Sequence, residues 1–168
     1  MALIPIQKLH LSESEIAVIV NRLADEIREN YSGKTLLLVC VLKGAYAFTA
    51  DLMRALKMDI ELDFVRVTRH EDTVTLLKDI SRDIQGQHML VIEEIIDSGR
   101  TSRFLYDRLI QSKPASLEIV TLLNKVSNRV VSVPVKYVGV EVSEGFLVGY
   151  GLDHHELRRN SSSISSVN

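Results

Sequence analysis

Cysteine is nearly missing from this chain of 168 residues: Cys40 stands alone, so an internal disulfide is excluded. Cys40 lies within the apolar run LLLVCVL and reads as a small buried hydrophobe in a reducing compartment. Nothing beside it in the sequence would activate it as a nucleophile. A surplus of either charge is also missing. Twenty Lys and Arg against 22 Asp and Glu leave a net charge of −2, which gives nucleic acid or an anionic membrane no electrostatic claim as main partner. No apolar stretch approaches the roughly 20 residues that span a bilayer. The start, MALIPIQKLH, lacks a basic segment leading into a long apolar one, so no signal peptide is expected. Internal repeats, interior low-complexity linkers, the G-x-x-x-x-G-K-[ST] loop and the G-x-G-x-x-G turn are all missing. With 46% hydrophobic and 25% charged residues, the expectation is a single soluble cytoplasmic domain able to bury a core.

What is present is an alternation of strand and helix signals. Ser12 and Glu15 have the spacing of a capping box, and Ile16, Ile19, Leu23 and Ile27 follow at helical intervals until Tyr31-Ser32-Gly33. Thr35 to Leu42 predicts a strand covered on both faces, and Phe48, Leu52 and Leu56 mark a second helix. Ile60, Leu62 and Phe64 alternate with Glu61 and Asp63, predicting a more exposed strand, and TRHEDT (68–73) a polar loop. Further strands are predicted at Met89–Ile92, Leu117–Leu123 and Lys136–Val142, with a helix from about Arg100 that stops before Pro114. This order predicts an α/β fold with a mainly parallel twisted sheet flanked by helices. Residues 1–159 form the predicted domain, and the serine-rich tail, 160–168, is predicted to be disordered.

In such sheets ligands sit at the carboxyl ends of the strands, and three polar groups fall there: Lys43-Gly44, Glu93-Glu94 with Asp97, and Asn124-Lys125. The stretch LVIEEIIDSGRTS (90–102) ends an apolar strand on carboxylates and continues as a Ser/Gly/Thr turn ahead of a helix. Backbone N–H groups, hydroxyls and a helix dipole there suit a phosphate monoester. Taken alone, though, Asp97 or Ser98 reads more readily as a plain N-cap. Glu93 and Glu94 suit a sugar diol or Mg²⁺. Burying both without a partner is unfavourable by several kcal/mol, which argues against a strand end that merely meets solvent. His154 and His155 do not make a metal site, because adjacent side chains diverge and no third ligand is evident.

LVIEEIIDSGRTS resembles the phosphoribosyl-pyrophosphate (PRPP) motif of type I phosphoribosyltransferases. Within that superfamily the chain is similar to the hypoxanthine-guanine enzymes. VLKGAYAF is similar to their pyrophosphate loop, LLNKVSNR to the segment with the purine-reading lysine, and GFLVGYGLD to the base-stacking and metal segment. The four matches run in order from about Leu38 to Arg159. The resemblance implies transfer of the phosphoribosyl group to a 6-oxopurine with Mg²⁺, in a homo-oligomer (dimer or tetramer). By position, Ser98, Gly99, Arg100 and Thr101 would cradle the 5′-phosphate, and Glu93 and Glu94 would hold the ribose hydroxyls beside a magnesium. Asp97 would be the general base at purine N7. Lys43-Gly44 and Arg159, with Arg158 as rival, would meet pyrophosphate. Lys125 would donate to the purine O6, separating oxopurines from adenine. Phe146 would stack on the base, while the backbone around Leu147 and Asp153 reads its other edge and Asp153 supports a second magnesium. The bland readings are a solvated Lys43, a surface Lys125 and a core Phe146.

Three departures keep a second reading open. Glu94 stands where the family usually has Asp. The lid stretch VRVTRHEDTVTLL lacks the family's Ser-Tyr pair and looks several residues short. The ending NSSSISSVN replaces an apolar segment, so the small hood over the purine is expected to be reduced or built differently. A stunted lid excludes water less well. The two readings are an active oxopurine phosphoribosyltransferase and a relative that binds nucleotide or PRPP as a sensor without useful catalysis.

Overall fold

The computed structural model describes residues 5–71, 73–143 and 145–167. The chain forms β1 (Ile6–Leu11), α1 (Glu13–Asn30), β2 (Leu36–Leu42), α2 (Tyr46–Leu56), β3 (Ile60–His70) and β4 (Thr73–Lys78). It continues through β5 (His88–Ile96), α3 (Arg100–Ile110), β6 (Ser116–Asn124), β7 (Tyr137–Glu141), β8 (Phe146–Val148) and β9 (Ile164–Val167). The capping box of α1 closes as the sequence predicts: the Ser12 N–H donates to Glu15 Oε2 at 2.8 Å and the Glu15 N–H to Ser12 Oγ at 3.3 Å. Ile16, Val20, Leu23, Ala24 and Ile27 form its buried stripe, the one-sided pattern that seats a helix on a sheet.

Six strands lie in the order β4-β3-β2-β5-β6-β7, all parallel except β4, which pairs antiparallel with β3. Alternation along β2 divides the core. Leu36, Leu38 and Cys40 face the cluster built on α1 and α2, while Leu37, Val39 and Val41 face Leu105 and Leu109 of α3. Burial pushes the Cys40 thiol up to about 11, in keeping with an inert core cysteine. No helix among the described residues is long and apolar enough to cross a membrane.

Three expectations need correction. TRHEDT is no loop: Thr68–His70 end β3 and Thr73 opens β4, so this stretch is the tip of a hairpin whose Asp72 lies outside the described residues. Nor is Ile164–Val167 disordered. It is β9, buried at every position, the centre of a second sheet ordered β1-β9-β8. The serines hide it from propensity, but partners on both edges supply the ladder that makes a strand. The hood is therefore built from both ends of the chain rather than from an apolar continuation. On β3 the polarity runs against the alternation: Asp63 is buried, whereas Leu62 and Phe64 are 37% and 36% exposed. Asp63 is satisfied at depth by the N–H groups of Phe64 and Ser81 and by Lys78 Nζ, which removes the desolvation penalty of an unpaired carboxylate.

Candidate active site

One cleft opens at the carboxyl ends of β2 and β5, where parallel strands leave room for a ligand. Its walls include Lys43, Gly44, Arg69, Glu93, Glu94, Asp97, Ser98, Gly99, Thr101 and Ser102. Eight of the residues singled out in the sequence thus meet around one space: Lys43, Gly44, Glu93, Glu94, Asp97, Ser98, Gly99 and Thr101. Arg100, which begins α3, is not part of that wall.

The turn after β5 is not a side-chain cap. The N-cap of α3 is Gly99, with no side-chain capping hydrogen bond. The Arg100 N–H to Ser98 Oγ distance, 3.5 Å, is too long for a good hydrogen bond. The helix start accordingly keeps the donors and dipole that hold an anion. Ser98 is instead pinned by its carbonyl, which accepts from the N–H groups of Val130 and Val131 at 3.0 and 3.3 Å. Arg129 Nε donates to the Asp97 carbonyl at 3.0 Å, so the segment after β6 fixes the turn from behind.

Strand alternation separates the two acids. Glu93 turns to the α3 face, is 5% exposed and accepts a 3.0 Å hydrogen bond from Ser102 Oγ. Burial, reinforced by the charge of Glu94, raises its pKa well above the ordinary range. Glu94 turns the other way against Gly44, and burial pushes it up to about 7 although Arg159 pulls it down. Gly44 leaves Glu94 its place: a Cβ at that position would fall among the carboxyl atoms of Glu94. The peptide bond Leu42–Lys43 is cis.

Opposite the turn after β5, four charged groups form a network. Lys43 Nζ donates to Glu156 Oε2 at 2.9 Å. The Arg159 guanidinium reaches Glu156 Oε2 at 3.2 Å, Asp153 Oδ1 at 2.8 Å and the Gly151 carbonyl at 2.8 Å. Lys43 is therefore neither freely solvated nor inside the cleft alone. Gly151, at φ +98°, packs onto the Gly44 carbonyl so closely that a side chain there would strike backbone, and this contact seats the hood segment on the Lys43-Gly44 turn.

The purine-side candidates lie beside this cleft and not in its wall. The Lys125 N–H donates to the Ile96 carbonyl at 2.9 Å and its Nζ to the Gly145 carbonyl at 3.1 Å, spanning from the end of β6 to the start of β8. Phe146 is 54% exposed, which contradicts the core reading. His154 meets its ring edge-on, with centroids 5.7 Å apart. Leu147 is buried and pairs with Ser166 of β9. No cluster of three or more His, Cys, Asp or Glu suited to a metal occurs among the described residues. Mg²⁺ keeps several waters and takes one or two carboxylates plus substrate phosphates, so oxygen donors at Glu93, Glu94 and Asp153 fit that ion without such a cluster.

A phosphoribosyl transferase domain profile matches residues 11–155. The chain belongs to the phosphoribosyltransferase family. It is 38% identical to the hypoxanthine-guanine phosphoribosyltransferase of Streptococcus thermophilus over 161 residues, covering 92% of this chain and 89% of that one. It is 37% identical to the hypoxanthine phosphoribosyltransferase of Haemophilus influenzae over 168 residues, covering 94% and 93%. A crystal structure of a Bacillus anthracis hypoxanthine-guanine phosphoribosyltransferase superposes with a TM-score of 0.94 at 39% identity, covering 98% of this chain and all of that one. The phosphoribosyltransferase fold predicted from the sequence is thus the fold observed.

The structure gives parts to residues to which the motifs assign none. Arg69 of β3 lines the cleft and donates to Ser98 Oγ at 2.9 Å, Ser102 holds Glu93, and Glu156 joins Lys43 to Arg159. The signal for Arg69 was a cation in the lid stretch. Ser102 and Glu156 gave none, because their partners are distant in sequence or hidden by strand alternation.

Proposed function

We propose that this phosphoribosyltransferase transfers the 5-phosphoribosyl group of PRPP to a 6-oxopurine, hypoxanthine or guanine, giving the nucleotide and pyrophosphate in purine salvage. The observation that carries the reading is the meeting, in one cleft, of an uncapped helix start with a buried carboxylate, Glu93, a half-buried one, Glu94, both proton-affine, and Asp97. Residues Ser98 to Thr101 hold the 5′-phosphate on backbone N–H groups and hydroxyls. Asp97 accepts the proton from purine N7 as the glycosidic bond forms. Positive charge develops on the ribose as pyrophosphate departs, and Glu93 and Glu94 stabilise it more than the ground state. Lys43, Gly44 and Arg159 receive the pyrophosphate. Lys125 donates to O6, Phe146 stacks on the base, and the backbone at Leu147 and Asp153 reads its far edge. Glu93, Glu94 and Asp153 would hold Mg²⁺ together with substrate oxygens, and the ion would supply neutralisation of phosphate charge.

The sensor reading rested on a short lid and a missing hood, and the ordered β9 removes half of that ground. The enzyme works in the cytoplasm as a dimer or tetramer, with the exposed Leu62 and Phe64 face available to a second copy. The test is nucleotide formation from PRPP and Mg²⁺ with hypoxanthine, guanine, xanthine or adenine, alongside Asp97→Asn. Oxopurine turnover lost in the variant supports transfer. A wild-type protein stabilised by nucleotide that makes none would reinstate the sensor.

A further inference from the structure

Arg69 is placed as no structural arginine needs to be. It lies near the tip of the β3–β4 hairpin, opposite Val74, at the edge of the cleft that Ser98, Gly99 and Thr101 line. Its Nη1 donates to Ser98 Oγ at 2.9 Å, a neutral acceptor. Arg82, Arg103, Arg108 and Arg159 all meet carboxylates, whereas no carboxylate among the described residues is ion-paired with Arg69. A guanidinium carries five N–H donors in a fork that matches phosphate oxygens. This one points at a helix start whose own donors lack a side-chain cap.

Building on the phosphoribosyltransfer reading, we propose that Arg69 is a phosphate-binding residue. It exchanges the Ser98 hydroxyl for the 5′-phosphate of PRPP or product nucleotide and so closes the hairpin over the phosphate turn. The pyrophosphate is not its target, because that group's cations, Lys43 and Arg159, stand across the cleft in the Glu156 network. The lid stretch carries no Ser or Tyr; in this chain the arginine supplies the lid's contact with substrate.

The test compares equilibrium binding of inosine 5′-monophosphate, inosine and pyrophosphate by the wild type, Arg69→Gln and Arg69→Lys. Loss of one charge-assisted contact predicts that Arg69→Gln weakens the monophosphate about ten- to hundred-fold. Inosine and pyrophosphate bind as before, and Arg69→Lys recovers part of the loss. Unchanged monophosphate binding, equal losses for inosine and monophosphate (a merely structural role), or a loss confined to pyrophosphate would each overturn the proposal. A wild-type protein that binds no monophosphate overturns the transfer reading and this proposal together, and it is told apart because the unmutated protein is then silent.

Discussion

Two glycines, Gly44 and Gly151, test whether the site is held by close packing, because the same added methyl meets different neighbours. At Gly44 the three nearest atoms to a new Cβ all belong to the Glu94 carboxyl group, the farthest at 2.8 Å. That group is the end of a flexible side chain, so Gly44→Ala lets Glu94 swing aside. An off-rotamer side chain costs about 0.5–1.5 kcal/mol, a fall in Tm of roughly 2–4 °C per kcal/mol for a chain of this size. Turnover suffers more, since displacing a working group by about 1 Å costs on the order of 100-fold. At Gly151 the obstacle is the Gly44 carbonyl, which is backbone, and φ is +98°. Gly151→Ala therefore meets a left-handed penalty of about 1–2 kcal/mol together with about 1–3 kcal/mol of overpacking. Thermal unfolding and PRPP-dependent nucleotide formation would be measured for both variants and for Gly44→Ala/Glu94→Ala. The double variant should unfold like Glu94→Ala alone, because the atoms in the way are gone, while remaining slow. Wild-type turnover in Gly44→Ala, or a stability loss as large as that of Gly151→Ala, would refute the reasoning.

Ending the chain after Ser163 removes β9, whose Ile164 and Val167 are 1% and 5% exposed. About 3 kcal/mol or more of stability should go with them, read as a lower urea midpoint, and an unchanged midpoint would mean that β9 does not hold the hood. The raised carboxyls set a pH dependence. In the ligand-free protein Glu93 and Glu94 bind protons that the unfolded chain has already released, so their stabilisation is complete below the ordinary carboxylate range and is lost as pH rises through their raised pKa values, about 7 for Glu94. Tm should fall between pH 5 and pH 8, and Glu94→Gln should flatten the fall; equal slopes would count against it. Glu156→Gln frees Lys43 and Arg159 from a shared anion. Pyrophosphate inhibition should tighten about two- to five-fold, and weaker inhibition would show that Glu156 positions these cations.

Local chemistry made much of this legible. The capping box, the covered run of β2 and the acids ending β5 are contiguous signals, and each lies where the sequence placed it. What stayed hidden depends on distant partners. Asp63 goes inside because Lys78 and the Ser81 N–H arrive from the far arm of the hairpin. ISSV becomes a buried strand because β1 and β8 flank it, although serine argues for a tail. The same limit applied to Ser98: beside a helix start it reads as a cap, and only the φ of Gly99 and the segment after β6 make it part of an open turn.

Those hidden partners also explain why a buried strand ends on carboxylates. Glu93 is met by a neutral hydroxyl and neither it nor Glu94 by an ion pair among the described residues, so burial raises both above the ordinary carboxylate range and an incoming positive charge would lower them again. Elsewhere around the cleft the demand reverses, with Arg69 donating to a neutral hydroxyl and the start of α3 without a side-chain cap. A bound solute satisfies both ends only if it is negative at its termini and becomes positive between them. PRPP has that pattern as its bond to pyrophosphate breaks: phosphate on one side, pyrophosphate on the other, and charge gathering on the ribose between them. A nucleotide merely bound has the anionic end without the cationic centre, so a site built only to sense it would gain nothing from two proton-affine acids.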